Sequence, residues 1–262
     1  MALDGFLGRK IGMTQVTRDG SGMTPVTVIA TPPNVVTQVR TLEKDGYTAV
    51  QLGAFPKKRA TRAVLGHAKK AGAENPFTYL REIRCTPDEI SVGQSVSIED
   101  IVDPGDWVHV TGISIGKGTA GTVKRHHFGR GPMAHGSKFH RLPGSSGSGT
   151  TPGRVVPGSR RAGHLGAARS TAQNLEVVEV NGGDGYILLK GSVPGPDKGL
   201  VILHRSPASP TPEERKARKE RQQKEVEEKR KREEEERQKQ KEEKEKVEER
   251  VAAKSSATEE KK

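Results

Sequence analysis

A single cysteine in 262 residues, Cys85, excludes an internal disulfide and any zinc module built on several thiolates. That fits a reducing compartment. Aromatic residues make up 3% of the chain and hydrophobic residues 31%, so the part that packs around a core must be shorter than the chain. No apolar run approaches the roughly 18 residues that a membrane-spanning helix needs, and the opening "MALDGFLGRKIGM" lacks the apolar stretch of a secretory signal. Neither secretion nor membrane spanning is indicated, and a cytoplasmic protein with no membrane partner is expected.

Acidic side chains are missing from one long segment. Between Trp107 and Leu175 there are ten bases (Lys117, Lys124, Arg125, Arg130, Lys138, Arg141, Arg154, Arg160, Arg161 and Arg169) and no Asp or Glu. The formal charge of the whole chain is +12 and its pI is about 9.8. From Pro207 onward, however, 19 Lys and Arg face 17 Asp and Glu. The charge excess of the first 206 residues is therefore carried by that one segment, and an acidic partner is implied: nucleic acid, anionic membrane or acidic protein.

Around the segment the chain reads as strands. "GFLGRKIGMTQV", "GMTPVTVIAT", "NVVTQVRT" and "YTAVQLGAF" are rich in Val, Ile, Thr and Tyr and are bounded by Gly, Pro, Asn and Asp. Alanines and spaced apolar positions in Lys57 to Ala73 predict a short helix, weakened by Gly66. "TYLREIRC", "SVSIEDI" and "DWVHVTGISIG" return to strand patterns, and "QNLEVVEVNGGDGYILLKGSVPGPDKGLVILH" closes the body with "NGGDG" and "PGPDKG" as turns. From Gly116 to Gly166 apolar periodicity stops. An unstructured excursion of that length inside a compact domain implies function, or order supplied by a partner. The expected organisation is a mainly β body, a barrel or sandwich, over residues 1–115 and 171–206, with a basic excursion over 116–170. The tail, 207–262, is nearly all Glu, Lys, Arg and Gln. Pro212 suits a first helical turn, and no apolar heptad supports a coiled coil, so a solvated helix ending in disorder is expected.

The excursion admits several chemistries. Four histidines, His126, His127, His135 and His140, suggest a metal. Their spacing is not that of a zinc site, and no carboxylate or thiolate lies near in sequence. The serines of "GSSGSG" lack an acid to orient a histidine base and lack the strand and helix of a nucleophile elbow. "GKGTAG" has its lysine in the wrong order for a phosphate-binding loop. No cofactor and no small-molecule substrate are implied. Nucleic acid accounts for more at once: bases neutralise phosphates, glycines let the backbone approach them, and His, Ser and Phe128 or Phe139 add hydrogen bonds and stacking. A solvated flexible loop remains the alternative.

Five ordered motifs, "GRKIGMTQ" at Gly8, "GKGTAGTVKRHHF" at Gly116, "HGSKFHR" at His135, "PGRVVPG" at Pro152 and "AQNLEVVEV" at Ala172, resemble the bacterial ribosomal L-three family. The similarity spans roughly residues 1–206 and leaves out the tail. The resemblance implies a non-enzymatic constituent of the large ribosomal subunit with a translation-type β-barrel and an α/β insertion near residues 56–100. It implies contacts with large-subunit ribosomal RNA and neighbouring ribosomal proteins, an early role in assembly, and an extension reaching toward the peptidyl-transferase centre. The RNA contacts it implies are Arg9 and Lys10 near the start, and Lys117, Lys124, Arg125, His126, His127, Arg130, His135, Ser137, Lys138, His140 and Arg141 along the outward path. Arg154, Arg160, Arg161, His164 and Arg169 follow on the return. Thr150 stands where some relatives carry a methylated glutamine, so that modification is not expected. Arg161 and Leu165 replace frequent methionines, and Ser170 and Ala172 frequent valines. An RNA-binding regulator or chaperone-like factor acting off the ribosome is the second functional reading.

Overall fold

The computed structural model describes residues 3–18, 22–85 and 90–210. Among the described residues, 3–14 and 25–209 belong to one compact unit, and 15–18 with 22–24 fall outside it. The tail expected to be helical or disordered lies outside the described residues from 211 onward. In chain order the elements are β1 (Gly5–Arg18), β2 (Gly22–Ala30), β3 (Asn34–Arg40), α1 (Leu42–Asp45), β4 (Ala49–Pro56), α2 (Arg62–Lys70), β5 (Phe77–Ile83) and β6 (Ser95–Val96). Then come β7 (Trp107–Ile113), β8 (Thr119–Ala120), α3 (Thr122–His126), β9 (Gly163–His164), β10 (Arg169–Asn181), β11 (Tyr186–Lys190) and β12 (Leu200–Arg205). Among the described residues the protein is mainly β, with few and short helices.

Six strands join in a closed ring in the order β1, β12, β7, β10, β11, β2. The registers are antiparallel: Gly5 faces His204, Val201 faces Gly112, Ile113 faces Arg169, and Ile187 faces Ile29. Alternation puts Val108 and Val110 of β7, Val201 and Leu203 of β12, and Ile187 and Leu189 of β11 inside, each 0–1% exposed. Full burial of such a side chain is worth about 1.5–3 kcal/mol. β1 is covered on both faces at its start. A Cβ at Gly5 would come within 2.7 Å of Ile83, and one at Gly8 within 2.6 Å of Ile29, so glycine is the residue that fits at both positions. β10 slips register between Ala172 and Leu175, where Asn174 takes φ 53°. Asparagine is among the few side chains at ease in that region, and the bulge bends the long strand.

A second sheet, in the order β5, β4, β3, β6, receives the helix. Gln51 Oε1 accepts from Thr37 Oγ1 and from His67 Nε2, each at 2.8 Å, and Ala68 is the buried contact of α2. The helix is shorter than Lys57–Ala73. The sheet that receives α2 also includes β3 and β4, both of which begin before residue 56. The strand expected at "SVSIEDI" stops at Val96. Ser97 caps the 3₁₀ turn Ile98–Asp100, and its N–H donates to Asp100 Oδ2 at 3.0 Å, so the backbone turns instead of extending. Asn34, fully buried, bonds through its amide to the main chain of Leu7 and Pro32 and ties the second sheet to the ring.

Candidate nucleic-acid interface

The basic excursion leaves the ring between β7 and β10. Its root continues the ladder of those strands: Ser114 N donates to Ala168 O at 2.8 Å, Lys117 N to Leu165 O at 2.8 Å, and Leu165 N to Gly118 O at 2.9 Å. β8 then pairs with β9, Thr119 opposite His164 and Ala120 opposite Gly163. α3 follows, started by Gly121, whose carbonyl accepts from Arg125 N at 2.9 Å, and ended by His127 at φ 58°. So the segment read as wholly loop-like contains a two-residue ladder and a five-residue helix. Both are too short to leave an apolar period in the sequence.

Between α3 and β10 the excursion has no core. Thr122 is buried, and no residue from 123 to 176 is. Local main-chain contacts hold the loop: Gly131 N donates to His140 O at 2.9 Å, the His140 ring Nδ1 lies 3.1 Å from Pro132 O, and Phe139 N donates to Ser137 Oγ at 3.2 Å. Arg125 Nη1 and His126 Nε2 converge on the carbonyl of Arg161, at 2.8 and 3.0 Å, and close the neck between the outward and return paths. His126 and Phe128 rings lie 6.0 Å apart.

The expected contact residues fall into two groups. Lys117, Lys124, His127, Arg130, His135, Lys138, His140, Arg141, Arg154, Arg160, Arg161, His164 and Arg169 are exposed, while Arg125, His126 and Ser137 are partly covered. Among the described residues no carboxylate is paired with any base of the excursion. Unpaired bases at this density repel one another and favour a phosphate partner. Arg9 and Lys10 sit apart from this group and have partners within the chain. The Arg9 guanidinium lies 4.7 Å from the Phe55 ring centre, and Lys10 Nζ donates to the carbonyls of Val193 and Gly195 at 3.2 and 3.3 Å.

At the root of the excursion a groove of about 590 Å³ is lined by Tyr79, Arg81, Ile113, Ile115, Arg169 and His204. Burial, then the positive charge of Arg169 and the neighbouring His109, hold the His204 imidazole below its ordinary pKa. Among the described residues no three His, Cys, Asp or Glu side chains cluster as metal ligands would, and no helix is long and apolar enough to cross a membrane. The excursion presents an exposed basic surface with no Asp or Glu of its own.

A family model for ribosomal protein L3 matches residues 83–185, the span from the end of β5 through the excursion to the turn before β11. The chain is 50% identical over 206 residues to the large ribosomal subunit protein uL3 of Synechococcus sp. (strain JA-3-3Ab), covering 78% of this chain and 95% of that protein. Identity to the uL3 protein of Geobacillus sp. (strain WCH70) is 52% over 202 residues, 76% of this chain and 94% of the relative. The uL3 protein of Acaryochloris marina is 48% identical over 208 residues, 78% and 96%. With half of the residues identical across nearly the full length of such relatives, this chain belongs to the ribosomal protein L3 family.

Proposed function

We propose that this protein is a structural, non-enzymatic constituent of the large ribosomal subunit in the cytoplasm, and that residues 116–170 are ordered on large-subunit ribosomal RNA. The observation that carries the reading is the coreless, acid-free span after Thr122. A chain that buries no side chain of its own must offset the entropy of its order with a partner's contacts. In this reading the closed ring is a translation-type barrel anchored among neighbouring ribosomal proteins. The excursion is an extension directed toward the peptidyl-transferase centre, and its early binding to RNA helps nucleate subunit assembly.

Residue roles follow from position. Lys124, Arg130, Lys138, Arg141, Arg154, Arg160 and Arg161 neutralise phosphates, with Lys117 and Arg169 doing so near the root. His127, His135, Ser137, His140 and His164 donate to phosphate or 2′-hydroxyl oxygens. Arg125 and His126, engaged with Arg161 O, hold the neck and present their remaining polar atoms to RNA. Arg9 and Lys10 contribute chiefly through the chain contacts they already make. Crosslinking of the purified large subunit, with RNA contacts mapped to single residues, tests the reading. Contacts concentrated between Gly116 and Ser170 are expected. A segment without contacts, and open to protease inside the subunit, would overturn it.

A further inference from the structure

A second acid-free basic stretch lies outside the extension. From Gly46 to Ala73 there are six bases, Lys57, Lys58, Arg59, Arg62, Lys69 and Lys70, and no Asp or Glu. All six are exposed, and among the described residues none is paired with a carboxylate. α2 buries Ala68 toward the second sheet, and the helical period sets Arg62, Gly66, Lys69 and Lys70 on the opposite face. Beside the helix a groove of about 330 Å³ adds Lys57 and Arg81 to the positive surface.

Gly66 is the informative residue. A Cβ there would meet nothing within 4 Å outside its own helix, and the backbone does not take a positive φ. Neither packing nor conformation within the chain calls for glycine, which is a poor helix former. Its effect is a bare patch of backbone between the bases of two successive turns, where a partner can approach closely.

We propose that the outward face of α2 is a second RNA-docking surface, which takes a sugar-phosphate backbone of the large-subunit RNA independently of the extension. The proposal rests on the ribosomal reading for the source of the RNA. An acidic protein segment is the less favoured occupant, because Val64 is the one large apolar side chain exposed on the helix and a protein partner would need an apolar anchor.

The test uses the full chain with deproteinised large-subunit RNA, and with polyglutamate as the acidic-polypeptide probe. The triple variant Arg62→Gln, Lys69→Gln, Lys70→Gln should bind the RNA about tenfold more weakly and lower the slope of log K against log salt by about 2, at roughly 0.7–0.9 per phosphate contact. Gly66→Gln should melt at a higher temperature and yet bind RNA several-fold more weakly, a combination that a merely structural helix would not give. Unchanged RNA affinity and slope in folded triple variant and Gly66→Gln would overturn the proposal. So would loss of polyglutamate binding alone. An Arg160→Gln, Arg161→Gln variant run in parallel separates the two readings: if it loses RNA affinity while the α2 variants do not, only this inference fails. If neither set loses affinity, the extension reading fails as well.

Discussion

Arg125 Nη1 donates to the main-chain oxygen of Arg161 at 2.8 Å, linking positions 36 residues apart at the neck of the extension. Gly163 permits this, since a Cβ there would come within 2.5 Å of the same guanidinium nitrogen. The bond is solvent-facing and worth about 0.5–1.5 kcal/mol, and it lies away from the hydrophobic core. Arg125→Leu should therefore leave the melting temperature nearly unchanged while chymotrypsin cleaves the free protein several-fold faster at Phe128 and Phe139. Equal cleavage rates for variant and parent would show that the neck is held by other contacts.

Arg160 and Arg161 are exposed, adjacent and without a carboxylate partner among the described residues. If each meets one phosphate, replacing both by Gln removes about two counterion-release events and lowers the salt slope of RNA binding by about 1.5. The loss should be the same for RNAs of different sequence, because phosphate contacts carry no base information. Filter binding of the full chain across a salt series measures it, and an unchanged slope would remove these two residues from the interface.

His204 is held below its ordinary pKa by burial, by Arg169 and by His109, with Asp4 acting in the opposite sense. The unfolded chain then binds a proton more readily than the folded one as pH falls through the ordinary imidazole range. The resulting stability is present above about pH 6.5 and is lost below it. Melting curves between pH 7.5 and pH 5 should show the parent falling more steeply than His204→Gln. Parallel curves would mean that His204 does not titrate in this window.

The strands were legible where two-residue alternation met turn residues. Val108 and Val110, or Ile187 and Leu189, announce strands because every second side chain is buried. The irregular basic stretch between β7 and β10 was legible for the opposite reason, through missing acids and missing periodicity. What stayed hidden depends on short-range geometry or on contacts distant in sequence. α3 spans five residues between glycine-rich stretches, too few for a helical period to emerge. The sheet that β3 and β4 form apart from the ring is completed by β6, which pairs Val96 with Asn34 from far along the chain. The local engagement of Lys10 depends on carbonyls more than 180 residues away. The α2 surface was concealed by arithmetic: charge balance elsewhere in the body made the extension account for the whole excess.

Two phenylalanines separate folding from binding. Phe6 is 0% exposed within the core, whereas Phe139 is 42% exposed on the extension. Phe6→Ala should cost about 3–5 kcal/mol in urea denaturation, through lost transfer energy and a cavity. Phe139→Ala should stay within about 0.5 kcal/mol in the same experiment. If Phe139 stacks on a base, its loss should weaken RNA binding by about 1–3 kcal/mol. A Phe139 variant with parental affinity would leave that ring a local contact of the loop, packed beside Gly131.

The boundary of the tail can be tested at a resolution the charge pattern does not provide. Ser209 Oγ donates to Asp106 Oδ1 at 2.8 Å and accepts from Trp107 N at 3.0 Å, and Asp106 is fully buried. Ser206 and Arg205 also bond in this corner, to Trp107 O and to Asp106. A chain ending at Ser206 removes one donor from a buried carboxylate and should lose about 1–3 kcal/mol. A chain ending at Pro210 keeps it and should unfold as the parent does. Residues 211–262 carry 19 bases against 17 acids, so their net attraction for phosphate is weak and the 1–210 chain should enter large subunits almost as well as the full chain. Sucrose-gradient fractions of cells carrying each truncation distinguish the effects. A 1–210 chain that melts normally but stays out of the subunit would assign the tail a role in assembly that its near-neutral charge does not suggest.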